Sequence, residues 1–479
     1  MKRSRPAGMR AAALRLLCGV LLAFAPFVAM PGAASEPTSH LLVMSDIHFD
    51  PMAQPRLVDR LAAAEPEKWR AIFQSAGDRR PAQYGSDTNW PLLASALQQM
   101  RRASPHPAMV LLPGDFLAHQ FRQKFDAAAH ARSTADYRGF VRKTMEFLAR
   151  QFEHEFPATP ILPVLGNNDA DCGDYRLQAN GPFLADTLPI VRALLGPAVG
   201  PAGRGPGFAH DWTSYGNAAV TVHGLRVLLV NTVFFSRSYR NACASSADVD
   251  PGQATIRWLA AELAAARRAH RPVWLVYHIP PGIDGYATWR KGSCPDHILP
   301  MWDARYAQPF NDLVRRYRDT IAAGFAGHTH MDDFRLIGNG DSYSGFVLIT
   351  PALSPIFGQN PAYRTLAYDS NGAILDQTTY DLTNLAKIGA TAAPRWQAEY
   401  TFTREWQLPS VDLPSLERLY AMITTVPEDR RRWHDLFAVS SPVYWTLNRG
   451  GAAPTRAFDC ATGHVPITDF HRCWCDSGD

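Results

Sequence analysis

Five short polar clusters carry the chemistry-bearing residues of this 479-residue chain. They are Asp46-Ile47-His48, Gly114-Asp115, Gly166-Asn167-Asn168-Asp169, His278, and Gly327-His328-Thr329-His330. Each follows directly on an apolar run. Carboxylates, imidazoles and one amide oxygen, with no thiolate among them, form a donor set for borderline divalent ions such as zinc, manganese or iron. The candidate ligands Asp46, His48, Asp115, Asn167, His278, His328 and His330 oversupply a single tetrahedral ion. They suit two ions sharing a carboxylate, a clamp that supports in-line displacement at phosphorus with metals ~3.5–4 Å apart. Gly114, Gly166 and Gly327 each precede a candidate ligand and let the backbone turn sharply and come close to it. Singly the clusters say little, because Asp-x-His occurs by chance and Gly-Asp is commonplace in turns. Their order, each on a strand end, points to one centre.

The elements that must position them follow from periodicity. His40 to Ser45, Ala108 to Pro113, Ile161 to Leu165, Val227 to Asn231, Val273 to Tyr277 and Ile321 to Ala326 read as buried strands. Trp90 to Arg101, Phe140 to Phe152 and the stretch carrying Ile256, Leu259, Ala260 and Leu263 read as helices. This alternation predicts an α/β fold, a layered α/β/β/α sandwich whose loops beyond the carboxyl ends of the strands converge. Residues 341–403 are strand-rich and 412–448 helical. The expected organisation is a signal peptide over 1–34, a catalytic domain over 35–403 and a helical C-terminal subdomain with a cysteine-rich tail over 404–479. A hydrophobic fraction of 46% allows a sizeable core, while 37 Pro and 33 Gly argue against an all-helical bundle.

The formal charge of +4 arises from the first 34 residues, where Lys2, Arg3, Arg5, Arg10 and Arg15 stand without an acid. The near-neutral remainder gives no electrostatic case for nucleic-acid binding. That basic start, the apolar run Leu16 to Ala29 and the small residues Gly32-Ala33-Ala34 read as a cleaved signal peptide, shorter than a spanning helix and broken by Pro26. A secreted or periplasmic protein with no transmembrane segment after cleavage is expected. Six cysteines then remain, Cys172, Cys243, Cys294, Cys460, Cys473 and Cys475, an even number that suits disulfides, although sequence cannot choose among the pairings. A small zinc site at Cys460, His471, Cys473 and Cys475 is the minority reading, since its spacing fits no common finger.

With these residues in place, the chain resembles the calcineurin-like metallophosphoesterases, and within them the acid sphingomyelinase-like phosphodiesterases. The matching stretches are Ser45-Asp46-Ile47-His48-Phe49-Asp50, Gly114-Asp115 with His119, Asp250-Pro251-Gly252-Gln253, His278-Ile279-Pro280-Pro281-Gly282 and Asn360-Pro361-Ala362-Tyr363-Arg364. The likeness runs from about Leu41 to Asn448 and leaves no saposin-like domain before the first motif. It implies Asp46, His48 and His330 on one metal, Asn167, His278 and His328 on the other, and Asp115 bridging. It also implies zinc as the metal and a Cys243–Cys294 disulfide. The activity implied is hydrolysis of phosphodiester bonds by in-line attack of a metal-bridging hydroxide. Where the family has a histidine that helps protonate the leaving group, this chain has Asn168, so His119 is the candidate general acid and Asn167 the catalytic amide. The change leans toward phosphoanhydrides, whose leaving groups need little protonation. An endopolyphosphatase or nucleotide pyrophosphatase on the same scaffold is therefore the alternative to a phosphodiesterase acting on a small molecule or lipid headgroup. A non-catalytic metal-binding secreted protein would be expected to lose a ligand position, and none is lost. Tyr84, Trp90, Tyr175, Trp289 and Trp302 are the aromatic candidates for a cleft wall.

Overall fold

The computed structural model describes residues 38–129, 133–200, 202–241, 250–291, 297–339, 342–388, 393–447 and 452–476. The signal segment 1–34, Cys243 and Cys294 lie outside them. Twelve strands among these residues make two six-stranded mixed sheets. They are β1 (Ser39–Val43), β2 (Met109–Leu112), β3 (Ile161–Pro163), β4 (Ala218–Val222), β5 (Leu225–Val230), β6 (Val273–Tyr277), β7 (Ile321–Ala326), β8 (Asp333–Asn339), β9 (Ser342–Ile349), β10 (Ala362–Tyr368), β11 (Ile374–Leu382) and β12 (Trp396–Thr401). One sheet runs β12-β11-β10-β1-β2-β3 and the other β4-β5-β6-β7-β9-β8. Parallel pairing of β1 with β2 and β2 with β3 sets Leu42 beside Val110 and Val110 beside Ile161. In the second sheet β5, β6, β7 and β9 are parallel. The parallel strands that precede the polar clusters, β1, β2, β3, β6 and β7, are the nearly continuous apolar runs of the sequence. Such runs belong to strands buried on both faces.

Apolar side chains bind the sheets to each other. Trp274 of β6 sets its ring 5.1 Å from Phe325 of β7 and 4.8 Å from Tyr368 of β10, in the other sheet, and donates to the Gly372 carbonyl at 2.8 Å. The helix Trp90–Ala103 starts where Asn89 accepts the Leu92 N–H, and the helix Thr134–Glu155 starts on a capping box between Ser133 and Asp136. The Asp250-Pro251-Gly252-Gln253 motif opens the helix Pro251–Arg268. Asp250 accepts the Gln253 N–H at 3.0 Å, and Pro251 fills the first turn, where no N–H is needed. Leu413–Thr425, Pro427–Phe437 and Tyr444–Leu447 are helices, as is the cysteine-bearing segment Ala452–Gly463. That last helix packs on β8 through Thr462, whose hydroxyl donates to Asp333 at 3.1 Å. Among the described residues no helix is long and apolar enough to cross a membrane.

Candidate metal centre

All five clusters emerge at the carboxyl ends of parallel strands, and backbone hydrogen bonds stitch their loops together. Asp46 N–H donates to Gly114 O at 3.0 Å, His48 N–H to Asp115 O at 2.9 Å, and Gly327 N–H to His278 O at 3.0 Å. The side chains then face one another. Asp115 Oδ2 lies 3.4 Å from His48 Nε2 and 3.2 Å from His278 Nε2. On one side His330 Nε2 lies 3.1 Å from His48 Nε2 and 3.4 Å from Asp46 Oδ1. On the other, Asn167 Oδ1 lies 3.1 Å from His278 Nε2, and the ligand atoms of Asp115, His278 and His328 fall within 4.8 Å of one another. The structure thus brings all seven sequence-predicted ligands into two groups that meet at Asp115.

Protein hydrogen bonds aim these donors. His48 Nδ1 is 3.0 Å from Leu117 O and His278 Nδ1 is 2.7 Å from Pro113 O, contacts that need N–H on Nδ1 and turn the Nε2 lone pairs toward Asp115. Lone pairs and a carboxylate oxygen at 3.2–3.4 Å are mutually repulsive unless positive charge lies among them. Burial opposes charge on His278, yet the Asp115 carboxylate beside it lifts its pKa to about 9, which shows how strongly this spot draws positive charge. Burial, with the other histidines, lowers His48 to about 4 and His328 to about 3, so both imidazoles are neutral near pH 7 and open to a metal. Buried His330 has no partner for Nδ1 among the described residues and is likewise held well below its usual range by burial. Burial raises Asp46 to about 6. Four imidazoles and two carboxylates facing one another fit a pair of divalent cations.

Residues quoted in the motifs without an assigned role, and Asp174 and Asp332, which sequence reasoning missed, hold this arrangement. Asp169, fully buried, accepts four backbone N–H groups: Asp115 at 2.9 Å, Phe116 at 2.8 Å, Leu117 at 3.1 Å and Gly166 at 2.8 Å. Asp174 accepts the Asn167 amide N–H at 2.8 Å, which turns Asn167 Oδ1 toward His278. Ser45 Oγ donates to Asp46 at 2.6 Å, and the His328 N–H reaches both Asp46 oxygens at 3.0 Å. Arg364, from the Asn360-to-Arg364 motif, pairs with Asp332, which also accepts from Thr379 at 2.7 Å and Tyr400 at 2.9 Å; this anchors the chain just beyond His330. Asn168 is turned inward: its side chain donates to Asp115 Oδ2 at 2.9 Å and its N–H to Oδ1 at 2.8 Å. Where the resembled family has a proton-donating histidine, Asn168 instead steadies the Asp115 carboxylate.

Backbone conformation at the centre is unusual. Asp46, His48, Asp115, His328 and His330 all have positive φ, between 42° and 75°, a region that side-chain-bearing residues rarely occupy. Gly114 has φ +92° and needs its glycine for that turn. Gly327 is required for space, because a Cβ there would overlap Ser45 Oγ and Asp46 Oδ2.

His119 stacks on His48 with ring centroids 3.9 Å apart. Its Nδ1 is 2.8 Å from Asp87 Oδ1, and Asp87 in turn takes Lys124 at 2.6 Å. Burial opposes charge on both partners, but the contact raises His119 and, with His48 and Lys124, lowers Asp87 to about 2. Of the aromatic candidates, Tyr175 reaches the centre, its ring 6.4 Å from His328. Tyr84 instead hydrogen-bonds Asn360 at 2.5 Å. Trp90 packs into the core against Phe73 and Phe147, and Trp302 against Phe235 and Phe310, because an indole with apolar neighbours on all sides gains more by burial. Trp289 lies against Tyr286 and packs on the apolar cluster of Ile283, Ala457 and Phe470. Cys460 and Cys473 form a disulfide, which removes the zinc reading of the tail; Cys172 and Cys475 are disulfide-bonded as well.

Residues 39–332 match the calcineurin-like phosphoesterase family. An acid sphingomyelinase-like phosphodiesterase 3b of Homo sapiens is 25% identical over 481 residues, covering 96% of this chain and 95% of that protein. A sphingomyelinase phosphodiesterase D of Dictyostelium discoideum is 25% identical over 333 residues, 67% of this chain and 66% of that protein. A cyclic GMP-AMP phosphodiesterase of Mus musculus is 24% identical over 401 residues, 80% of each. Strand ends that carry the ligands, and a family match that spans them, lead to one assignment: the chain belongs to the calcineurin-like phosphoesterases and is homologous along nearly its whole length to the acid sphingomyelinase-like phosphodiesterases.

Proposed function

We propose that this chain is an exported phosphodiesterase working with two divalent ions. Asp46, His48 and His330 hold one, Asn167, His278 and His328 hold the other, and Asp115 is shared. The observation that carries the reading is the placing of Asp115 Oδ2 between His48 Nε2 and His278 Nε2, each imidazole pinned from behind by a backbone carbonyl. Bound there, the ions supply Lewis acidity toward a phosphoryl oxygen and an activated water. The nitrogen-rich donor set favours zinc over harder ions, with manganese or iron as alternatives. Asp87 fixes His119 through Nδ1, which leaves Nε2 to protonate a departing alkoxide. Asp169 and Asn168 keep the Asp115 carboxylate in place while charge develops.

Phosphodiesters are the proposed substrates, in keeping with relatives named for sphingomyelin and for cyclic GMP-AMP. A second reading, cleavage of a phosphoanhydride as in a nucleotide pyrophosphatase or endopolyphosphatase, is favoured by Asn168, which leaves one histidine where two proton donors are expected. The basic and apolar segment 1–34 and the Cys460–Cys473 disulfide support an exported protein with 35–403 as its catalytic domain and 404–479 as its C-terminal part. The test is elemental analysis joined to hydrolysis of bis-p-nitrophenyl phosphate. Two metal ions per chain and metal-dependent release of p-nitrophenol are expected. A stoichiometry held at one under saturating zinc or manganese, or no turnover, would remove the reading.

A further inference from the structure

Arginines crowd one end of the molecule. The helix Pro251–Arg268 ends on Arg267 and Arg268, with Arg271 in the turn to β6; the helix Ala304–Arg316 ends on Arg315 and Arg316, with Arg318 in the turn to β7. All six are exposed. Packing draws them together: Arg267 donates to the Arg316 carbonyl, and both guanidinium groups lie over the ring of buried Tyr317, at 4.2 Å and 5.6 Å. Asp312 lies 2.8 Å from Arg315, and Asp319 lies 3.8 Å from Arg318. Arg267, Arg268, Arg271 and Arg316 pair with no carboxylate among the described residues. Basic residues in a last helical turn complement the helix dipole, but that effect fades within the turn, and Arg271 and Arg318 lie outside both helices. Like charges held this close repel one another, and an array of anions outside the protein would relieve them. Since the chain beyond residue 34 is near neutral overall, the excess here is local and the rest of the surface is net negative.

This end is the one opposite the metal centre. Proposed ligands follow the carboxyl ends of β6 and β7, whereas Arg271 and Arg318 precede the amino ends. The length of a strand, roughly 16–20 Å at about 3.3 Å per residue, lies between. We propose that the arginine face docks the protein on the headgroups of an anionic phospholipid bilayer, with the metal centre turned to the water. Guanidinium groups pair with phosphate through two parallel hydrogen bonds, and a cluster offered from two helix ends meets a plane of phosphates without enclosing any one of them. A plane touches one end of the molecule only. A nucleic acid running past the patch would meet the net negative remainder of the surface. Attachment by charge needs no spanning segment, and no helix among the described residues is long and apolar enough to be one. The consequence is directional: docked protein keeps its centre open to soluble esters and turned from the lipids that hold it.

The test is co-sedimentation of the metal-loaded protein with vesicles of phosphatidylcholine, alone or mixed in equal parts with phosphatidylglycerol. Binding to the mixed vesicles at low salt is expected, with loss at about 1 M salt, where the Debye length is ~3 Å. A variant carrying Arg268→Gln, Arg271→Gln and Arg316→Gln together should bind about tenfold more weakly or worse at an unchanged Tm, since one arginine near an anionic surface is worth roughly fivefold. In the parent, mixed vesicles should slow backbone hydrogen exchange at residues 267–271 and 315–318 and leave residues 46–48 and 327–330 as they are. Docked protein should hydrolyse bis-p-nitrophenyl phosphate as fast as free protein. Equal binding to phosphatidylcholine alone, undiminished binding of the triple variant, or protection of residues 46–48 and 327–330 would overturn the inference. Tighter binding to duplex DNA than to mixed vesicles at the same salt would overturn it too. No turnover, free or docked, would remove the phosphodiesterase reading, while the binding and exchange results would still decide the docking face.

Discussion

His119 is the residue whose role the surroundings define most sharply. Asp87 holds its Nδ1 at 2.8 Å, and its face lies on His48, so Nε2 is the atom left to meet substrate. His119→Ala should slow diesters with alkyl leaving groups by roughly 10²–10⁴-fold and p-nitrophenyl esters far less, because a stable phenolate needs no proton. Equal losses on both, measured as kcat, would make His119 a support for His48 instead. Asp115→Ala should abolish turnover and lower the metal content, since it removes the oxygen that both groups share. A variant that keeps both ions would show another residue bridging. The ligands themselves were legible in the sequence, because histidine and aspartate at the end of an apolar run are conspicuous. Asp87 and Asp174 were not, and Asp169, though it stands in the third cluster, had no role assigned: a carboxylate that only holds backbone N–H groups or another side chain looks like any turn residue until the fold brings it inward. Nor does any residue type signal that five candidate ligands adopt positive φ, a conformation costing roughly 1–2 kcal/mol each that the surrounding contacts must hold in place.

At the scale of elements, the centre is a set of strand ends tied to one buried carboxylate. Asp169 gathers four N–H groups from the loops after β2 and β3, so Asp169→Ala would leave several buried donors unmet. A loss of about 3 kcal/mol or more in urea unfolding is expected, at one to three per unmet group with partial relaxation. A loss below 1 kcal/mol would mean that water or a shifted loop replaces it. The six predicted strands were readable because their apolar runs are continuous. β4, Ala-Ala-Val-Thr-Val, escaped notice because it is short and opens on two alanines, which carry little strand preference. The helix Ala452–Gly463 was hidden in a cysteine-rich stretch whose Ala, Thr and Gly carry little periodic signal. Trp90 and Trp302 misled in the opposite sense. A large aromatic beside loop residues suggests a binding wall, and only packing shows that its neighbours are other aromatics.

Across the whole molecule, acid groups buried away from the metal ligands couple folding to pH. Asp381 on β11 is 2% exposed, accepts from Asn360 at 2.9 Å and has no side-chain partner for its other oxygen among the described residues; burial pushes its pKa up to about 6. Below the unfolded value near 4 both states are protonated and the fold loses nothing. Between about 4 and 6 the unfolded chain releases the proton first, so stability falls as pH rises, and above 6 the loss is constant. Asp381→Asn should therefore match the parent near pH 4 and exceed it at pH 7 by up to about 3 kcal/mol, judged by urea unfolding at both values. A gap that does not change with pH would assign the effect to packing. A last consequence comes from where the wall beside the centre originates. The proposed ligands all lie between residues 46 and 330, whereas Phe437, Tyr444 and Phe458, which complete the lining of a cavity beginning at His328, come from the C-terminal helices. Substitutions confined to those helices can therefore reshape part of the wall beside the centre while every proposed ligand passes on untouched.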